Sequence, residues 1–124
     1  MQRRGIYSIP TVFTALGNKI YEFGAKVELD GEMINADSDR YRLFKRDGCK
    51  CCRCGLEGQY FAMERSGKDG PYHLNLYGTK NGQEILFTKD HILPKSKGGT
   101  NAMSNYQVMC RICNEKKADE VEKE

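Results

Sequence analysis

Two short cysteine clusters, "CKCCRCG" at residues 49–55 and "CRIC" at 110–113, constrain the fold of this 124-residue chain more than any other feature. Two residues between cysteines let both thiolates face one ion from a tight knuckle, and two such pairs complete a tetrahedral site however far apart they lie in sequence. The first cluster contains two overlapping pairs, Cys49 with Cys52 and Cys51 with Cys54. Cys51 and Cys54 are preferred because Gly55 follows directly, and a glycine lets the backbone fold back so that its N–H groups reach the sulfurs. The expected ligands of a structural zinc are therefore Cys51, Cys54, Cys110 and Cys113, an all-thiolate set closed to water. Cys49 and Cys52 are left over as packed or idle thiols.

A metal clamp suits the rest of the composition. A chain of this length buries only about two thirds of its unfolded surface. Tryptophan is absent, 30% of residues are charged and thirteen glycines imply many turns, so a small apolar core is expected. No basic segment followed by an apolar stretch opens the sequence, and no run approaches the roughly 18 apolar residues of a membrane span. The expected compartment is a reducing cytoplasm, where closely spaced cysteine pairs more often bind zinc than form disulfides. The net charge of +3 is compatible with a polyanionic partner without selecting one.

Along the chain, residues 1–37 read as a small N-terminal segment and 38–124 as the main domain. In "KVELDGEMI", Val27 and Leu29 precede Asp30-Gly31 and Met33 and Ile34 follow it, the pattern of a hairpin closed by a turn that needs positive φ. Upstream, "IPTVFTALGNKIYEFG" fits neither helix nor strand period cleanly and stays open. "SDRYRLFKRDG" begins with the capping residue Ser38, spaces Tyr41 and Phe44 by three, ends in Lys45 and Arg46 and stops at Gly48, which predicts a short helix. "QYFAMER", "HLNLYG" and "EILFTKDH" predict three antiparallel strands, the last two joined at Asn81-Gly82. Residues 111–120 lack Gly and Pro and favour helix.

Asp90 and His91 end the third of these strands and lead into "ILPKSKGGTN". A carboxylate binds hard cations and a neutral imidazole accepts a proton near neutral pH, so neighbours of these types can serve a metal and a water. His73, in "PYHLNLYG", has no acid or metal-binding neighbour in sequence and reads as structural.

"DHILPKSKGG" followed by "NYQVMCRICNEKK", flanked by the cysteine pairs, resembles the HNH endonuclease family. The resemblance covers residues 44–117 in outline, is densest from Asp90 onward, and does not reach the first forty residues. It implies an α+β fold built on a ββα-metal motif with a structural four-cysteine zinc, plus extra antiparallel strands between Gly55 and Lys89 and the small N-terminal segment. By the same resemblance Asp90 and Asn114 would hold a catalytic Mg2+ or Mn2+, His91 would be the general base, and Asn105 would fix the loop. Spacings of fourteen residues from His91 to Asn105 and nine from Asn105 to Asn114 fit that motif. The family name promises histidine at the last position; Asn114 instead offers an oxygen, which suits a hard cation. Lys95, Lys97, Lys116 and Lys117 are placed to neutralise DNA phosphates. The implied activity is metal-dependent DNA endonuclease, in the host cytoplasm if the chain is phage-encoded. The competing reading is a zinc-stabilised nucleic-acid-binding module that does not cut, and a third is a purely structural or protein-interaction domain.

Overall fold

The computed structural model describes residues 1–123. The elements are β1 (Gln2–Ser8), α1 (Ile9–Leu16), β2 (Lys26–Leu29), β3 (Glu32–Asn35), α2 (Asp39–Asp47), β4 (Tyr60–Arg65), β5 (His73–Lys80), β6 (Gln83–His91), β7 (Tyr106–Cys110) and α3 (Arg111–Lys123). Five strands form one antiparallel sheet in the order β1-β4-β5-β6-β7, and β2 and β3 form a separate hairpin. The class is α+β, with β6, its following loop, β7 and α3 forming a ββα unit at one end of the sheet.

Both tight turns expected from Asp-Gly and Asn-Gly are present. Asp30 and Gly31 have φ of 53° and 82°, Asn81 and Gly82 of 53° and 77°, the doubly positive turn whose twist matches antiparallel strands. The stretch left open upstream is helical: Pro10 lies in the first turn of α1, where its missing N–H costs nothing, and Ser8 Oγ accepts from the Thr11 N–H. α2 forms as expected, but the Ser38 side chain does not cap it. Arg42 instead braces the start of α2, donating to Asp39 at 2.6 Å and to Asp37 at 2.8 Å.

Strand alternation puts Phe61, Met63, Leu74, Leu76, Ile85 and Phe87 on one face, all buried. α1 and α2 cover that face, with Phe13 and Phe44 each meeting the Phe61 ring edge-on, while Tyr41 Oη accepts the Leu74 N–H. The buried cluster continues from Val12 to Cys51, Cys110 and Cys113, so the cysteines are part of the core. β1 had no signal in the sequence, and it is held at the sheet edge by charge. Arg3 donates to Glu64 on β4 and to Glu84 on β6, and Glu64 also accepts from Asn75 Nδ2 and the Tyr77 hydroxyl. His73, read as structural, is exposed at the start of β5, opposite Glu64 in register.

This network makes acid stability testable. Burial pushes the Glu64 carboxyl up, but the hydrogen bonds from Asn75, Tyr77 and Arg3 outweigh it and hold it below the ordinary glutamate range. Tyr77, pushed up to about 12 by burial and by Glu64, stays a donor. A carboxyl depressed on folding stabilises above its unfolded pKa, and that stabilisation is lost as pH falls through the folded value. The melting temperature of the wild type is expected to fall more steeply below about pH 4.5 than that of Glu64→Gln, which is already weaker at pH 7 by about 1–3 kcal/mol. Parallel melting curves of the two proteins down to about pH 2 would contradict this.

Candidate active site and metal cluster

The first knuckle follows α2. Gly55 has φ of 79° and donates its N–H to the Cys51 carbonyl at 3.0 Å, folding the chain back as expected for the 51/54 pair. The Cys51 N–H bonds to Leu56 O and the Cys52 N–H to Val108 O, which fastens this knuckle to β7. Cys110 ends β7 and Cys113 lies in the first turn of α3. The ligand atoms of Cys51, Cys54, Cys110 and Cys113 all lie within 4.8 Å of one another, and the Cys54 and Cys110 sulfurs are 3.8 Å apart. Four sulfurs each about 2.3 Å from one zinc would be separated by about 3.8 Å, so the cluster is compatible with such an ion. Neighbouring thiols cannot all ionise unaided. Burial pushes Cys51 up, but N–H groups of Cys110, Cys54 and Arg53 outweigh it and bring it down to about 6, while burial and the neighbouring thiols push Cys113 up to about 12. Cys49 and Cys52 stay outside the cluster; burial pushes the Cys49 thiol up to about 11.

A cleft of about 500 Å³ opens at the C-terminal end of β6. Its walls include Asp90, His91, Asn114, Lys89, Lys95 and Lys117. Strand neighbours point to opposite sides, and here the two diverge. Asp90 pairs in register with Gln107 on the α3 side, whereas His91 pairs with Tyr106, its ring edge-on to the tyrosine with centroids 5.0 Å apart. They share the cleft because β6 ends at His91.

Asp90 is only 8% exposed, and one of its oxygens is fully engaged. Oδ2 accepts from Gln107 Nε2 at 2.9 Å and from Lys117 Nζ at 2.7 Å. Asn114, one turn into α3, donates Nδ2 to Thr88 Oγ1 at 2.9 Å, and Thr88 in turn donates to the Met109 carbonyl. Among the described residues no donor reaches Oδ1 of either Asp90 or Asn114. Each side chain is thus tethered through one atom while a second oxygen is left over, an arrangement suited to a hard cation.

Asn105 stands directly before β7. Its Oδ1 accepts the Leu93 N–H at 2.9 Å, its Nδ2 donates to Leu93 O and Thr100 O, and its carbonyl accepts the Ile92 N–H. The loop also turns tightly on itself: Gly99 donates to Pro94 O, and a Cβ there would lie 1.8 Å from the Leu93 carbonyl oxygen. Arg46, from the end of α2, donates to Met103 O and Tyr106 O and so braces the turn that carries Asn105.

Lys95, Lys97 and Lys116 are exposed, Lys95 in the cleft wall and Lys97 in the same turn. Lys117, expected with them on the phosphate-facing surface, is instead folded inward. It pairs with Asp90 and also donates to the carbonyls of His91 and Ile92, leaving its side chain 19% exposed. Sequence reasoning also passed over Thr88, Asn101 and Gln107. Thr88 could have been found from alternation, two residues before Asp90 on the same face. Asn101 closes the quoted "GGTN" and places its Oδ1 2.9 Å from His91 Nε2. Gln107 depends on the β6–β7 register.

A strand, a tightly held loop, a second strand and a helix that returns an asparagine to the first strand, with a four-cysteine cluster at the strand–helix junction, make up a ββα unit. Residues 77–124 match the model of a family described as HNH endonuclease. This match begins within β5 and takes in β6, β7 and α3, the elements that carry Asp90, His91, Asn105, Asn114 and the second cysteine pair. Neither the curated proteins nor the solved structures gave a match. No helix among the described residues is long and apolar enough to cross a membrane.

Proposed function

We propose that the protein is a metal-dependent endonuclease that hydrolyses phosphodiester bonds in DNA, with the cleft at Asp90, His91 and Asn114 as its active site. The observation that carries this reading is the pair of tethered oxygen donors beside a histidine whose ring is also fixed. Bound at Oδ1 of Asp90 and Asn114, Mg2+ or Mn2+ would offset charge building on the phosphate and its leaving oxygen. His91 does the proton chemistry. When its Nε2–H donates to Asn101 Oδ1, the lone pair on Nδ1 is left to take a proton from water, and Tyr106 keeps the ring from turning away. Asn105 holds the loop in which Asn101 lies, and the exposed Lys95, Lys97 and Lys116 supply positive charge for the backbone of the nucleic acid. In the four-cysteine cluster a zinc would be structural, since four thiolates leave no open position for a substrate.

The test is the product. Supercoiled plasmid incubated with the protein and Mg2+ or Mn2+ is expected to yield open circles or linear DNA, EDTA to prevent this, and DNA ligase to reseal the breaks, as a 5′ phosphate and 3′ hydroxyl allow. Retention of plasmid on the protein with no strand broken in either metal would favour the binding module instead.

A further inference from the structure

We infer that Lys117 makes divalent-cation binding depend on the nucleic acid, so that the free protein holds the ion weakly and a phosphate completes its site. This rests on the proposed active site and adds to it the order in which that site is assembled.

Among the described residues lining the cleft Asp90 is the only carboxylate, and Lys117 pairs with it at 2.7 Å. The other proposed ligand, Asn114, carries no charge. Lys89 and Lys95 also line the cleft; Lys89 is 3.8 Å from Asp39 Oδ2 and lies over the Tyr106 ring, and Lys95 is exposed. The ammonium of Lys117 is not a loose surface group. Three acceptors hold it, the Asp90 carboxylate and the carbonyls of His91 and Ile92, in a side chain four-fifths covered. A divalent cation arriving at Asp90 Oδ1 therefore meets a fixed positive charge on the other oxygen of the same carboxylate, and no second anion among the described residues that line the cleft.

A nucleic-acid phosphate changes that balance. It is drawn by the lysines, it brings the missing negative charge, and it offers an oxygen to the ion. Ion and nucleic acid then favour one another, and linkage requires the effect to be equal in both directions. Lys117 acts as a positioning residue through Asp90, holding Oδ2 so that Oδ1 faces the cleft, while its charge sets how strongly the empty protein attracts the ion.

The experiment measures Mn2+ binding by electron paramagnetic resonance, with and without a saturating short DNA duplex. It uses zinc-loaded protein carrying His91→Ala so that the duplex survives. Asp90→Asn in the same background subtracts Mn2+ held by the duplex itself. Without further change, the duplex is expected to tighten Asp90-dependent binding by about tenfold or more, and Mn2+ to tighten duplex binding by the same factor. Lys117→Gln, which keeps a donor but loses the charge, is expected to tighten duplex-free Mn2+ binding by about tenfold or more and to shrink the effect of the duplex. Lys117→Arg, which keeps the charge, should follow the parent. Equal Mn2+ affinity with and without duplex overturns the inference while leaving the active-site reading intact. So does duplex-free affinity in a folded Lys117→Gln protein no tighter than the parent's, or tightening by Lys117→Arg as well. Absence of any Asp90-dependent Mn2+ binding overturns the active-site reading, and the inference with it.

Discussion

Removing the ion from the four-cysteine cluster is expected to unfold the protein. The cluster joins the loop after α2, the end of β7 and the first turn of α3, and three of its four cysteines are buried in the core. Zinc binding to such thiolate sets is worth about 10–16 kcal/mol at pH 7, at or above the 5–15 kcal/mol that holds a whole domain together. A strong chelator, or Cys51→Ser or Cys113→Ser, should therefore abolish the cooperative thermal transition and release about one zinc per chain. Cys49→Ser and Cys52→Ser, outside the cluster, should retain both transition and zinc. Normal melting of Cys51→Ser and Cys113→Ser would refute the zinc assignment.

His91→Ala should lose cleavage and little else. A positioned general base contributes about 10²–10⁴ in rate, so the variant's cleavage rate should fall by at least about a hundredfold. The His91 ring contacts Tyr106 and Asn101 at the end of β6, away from the aromatic core around Phe61, and its backbone ties through β7 and Lys117 remain without the ring. Zinc content and melting temperature should be close to those of the wild type. Loss of the fold would make His91 structural instead, and cleavage at the wild-type rate would remove it from the chemistry.

The parts of this structure that could be read in advance are those set by local chemistry. Asp30-Gly31 and Asn81-Gly82 need positive φ and so fixed two turns, the spacing of Tyr41 and Phe44 before Gly48 marked α2, and Gly55 singled out the cysteine pair that joins the cluster. Parts that depend on partners distant in sequence were not legible. β1, "QRRGIYS", carries two arginines and no clean alternation; its place at the sheet edge follows from pairing with β4 some sixty residues on and from Glu64, which Arg3 meets only in the folded sheet. The same holds around the cleft. Asp90, His91, Asn105 and Asn114 stood out by type and spacing, but Gln107 joins Asp90 only through the β6–β7 register, and Lys117 only through the turn of α3 that lays it across the end of β6. A lysine in a basic stretch of sequence suggests a solvated, phosphate-facing surface. Here the nearest carboxylate and two carbonyls, left open where the strand ends, draw it inward instead.

The most direct test sets wild type beside His91→Ala at equal concentrations of folded, zinc-loaded protein, in Mg2+, with supercoiled plasmid as substrate. The active site proposed at Asp90, His91 and Asn114 predicts that the wild type converts the plasmid to open-circular or linear DNA while the variant binds it unbroken. Equal cleavage by both proteins, or plasmid left intact by a wild type that binds it, would contradict that site.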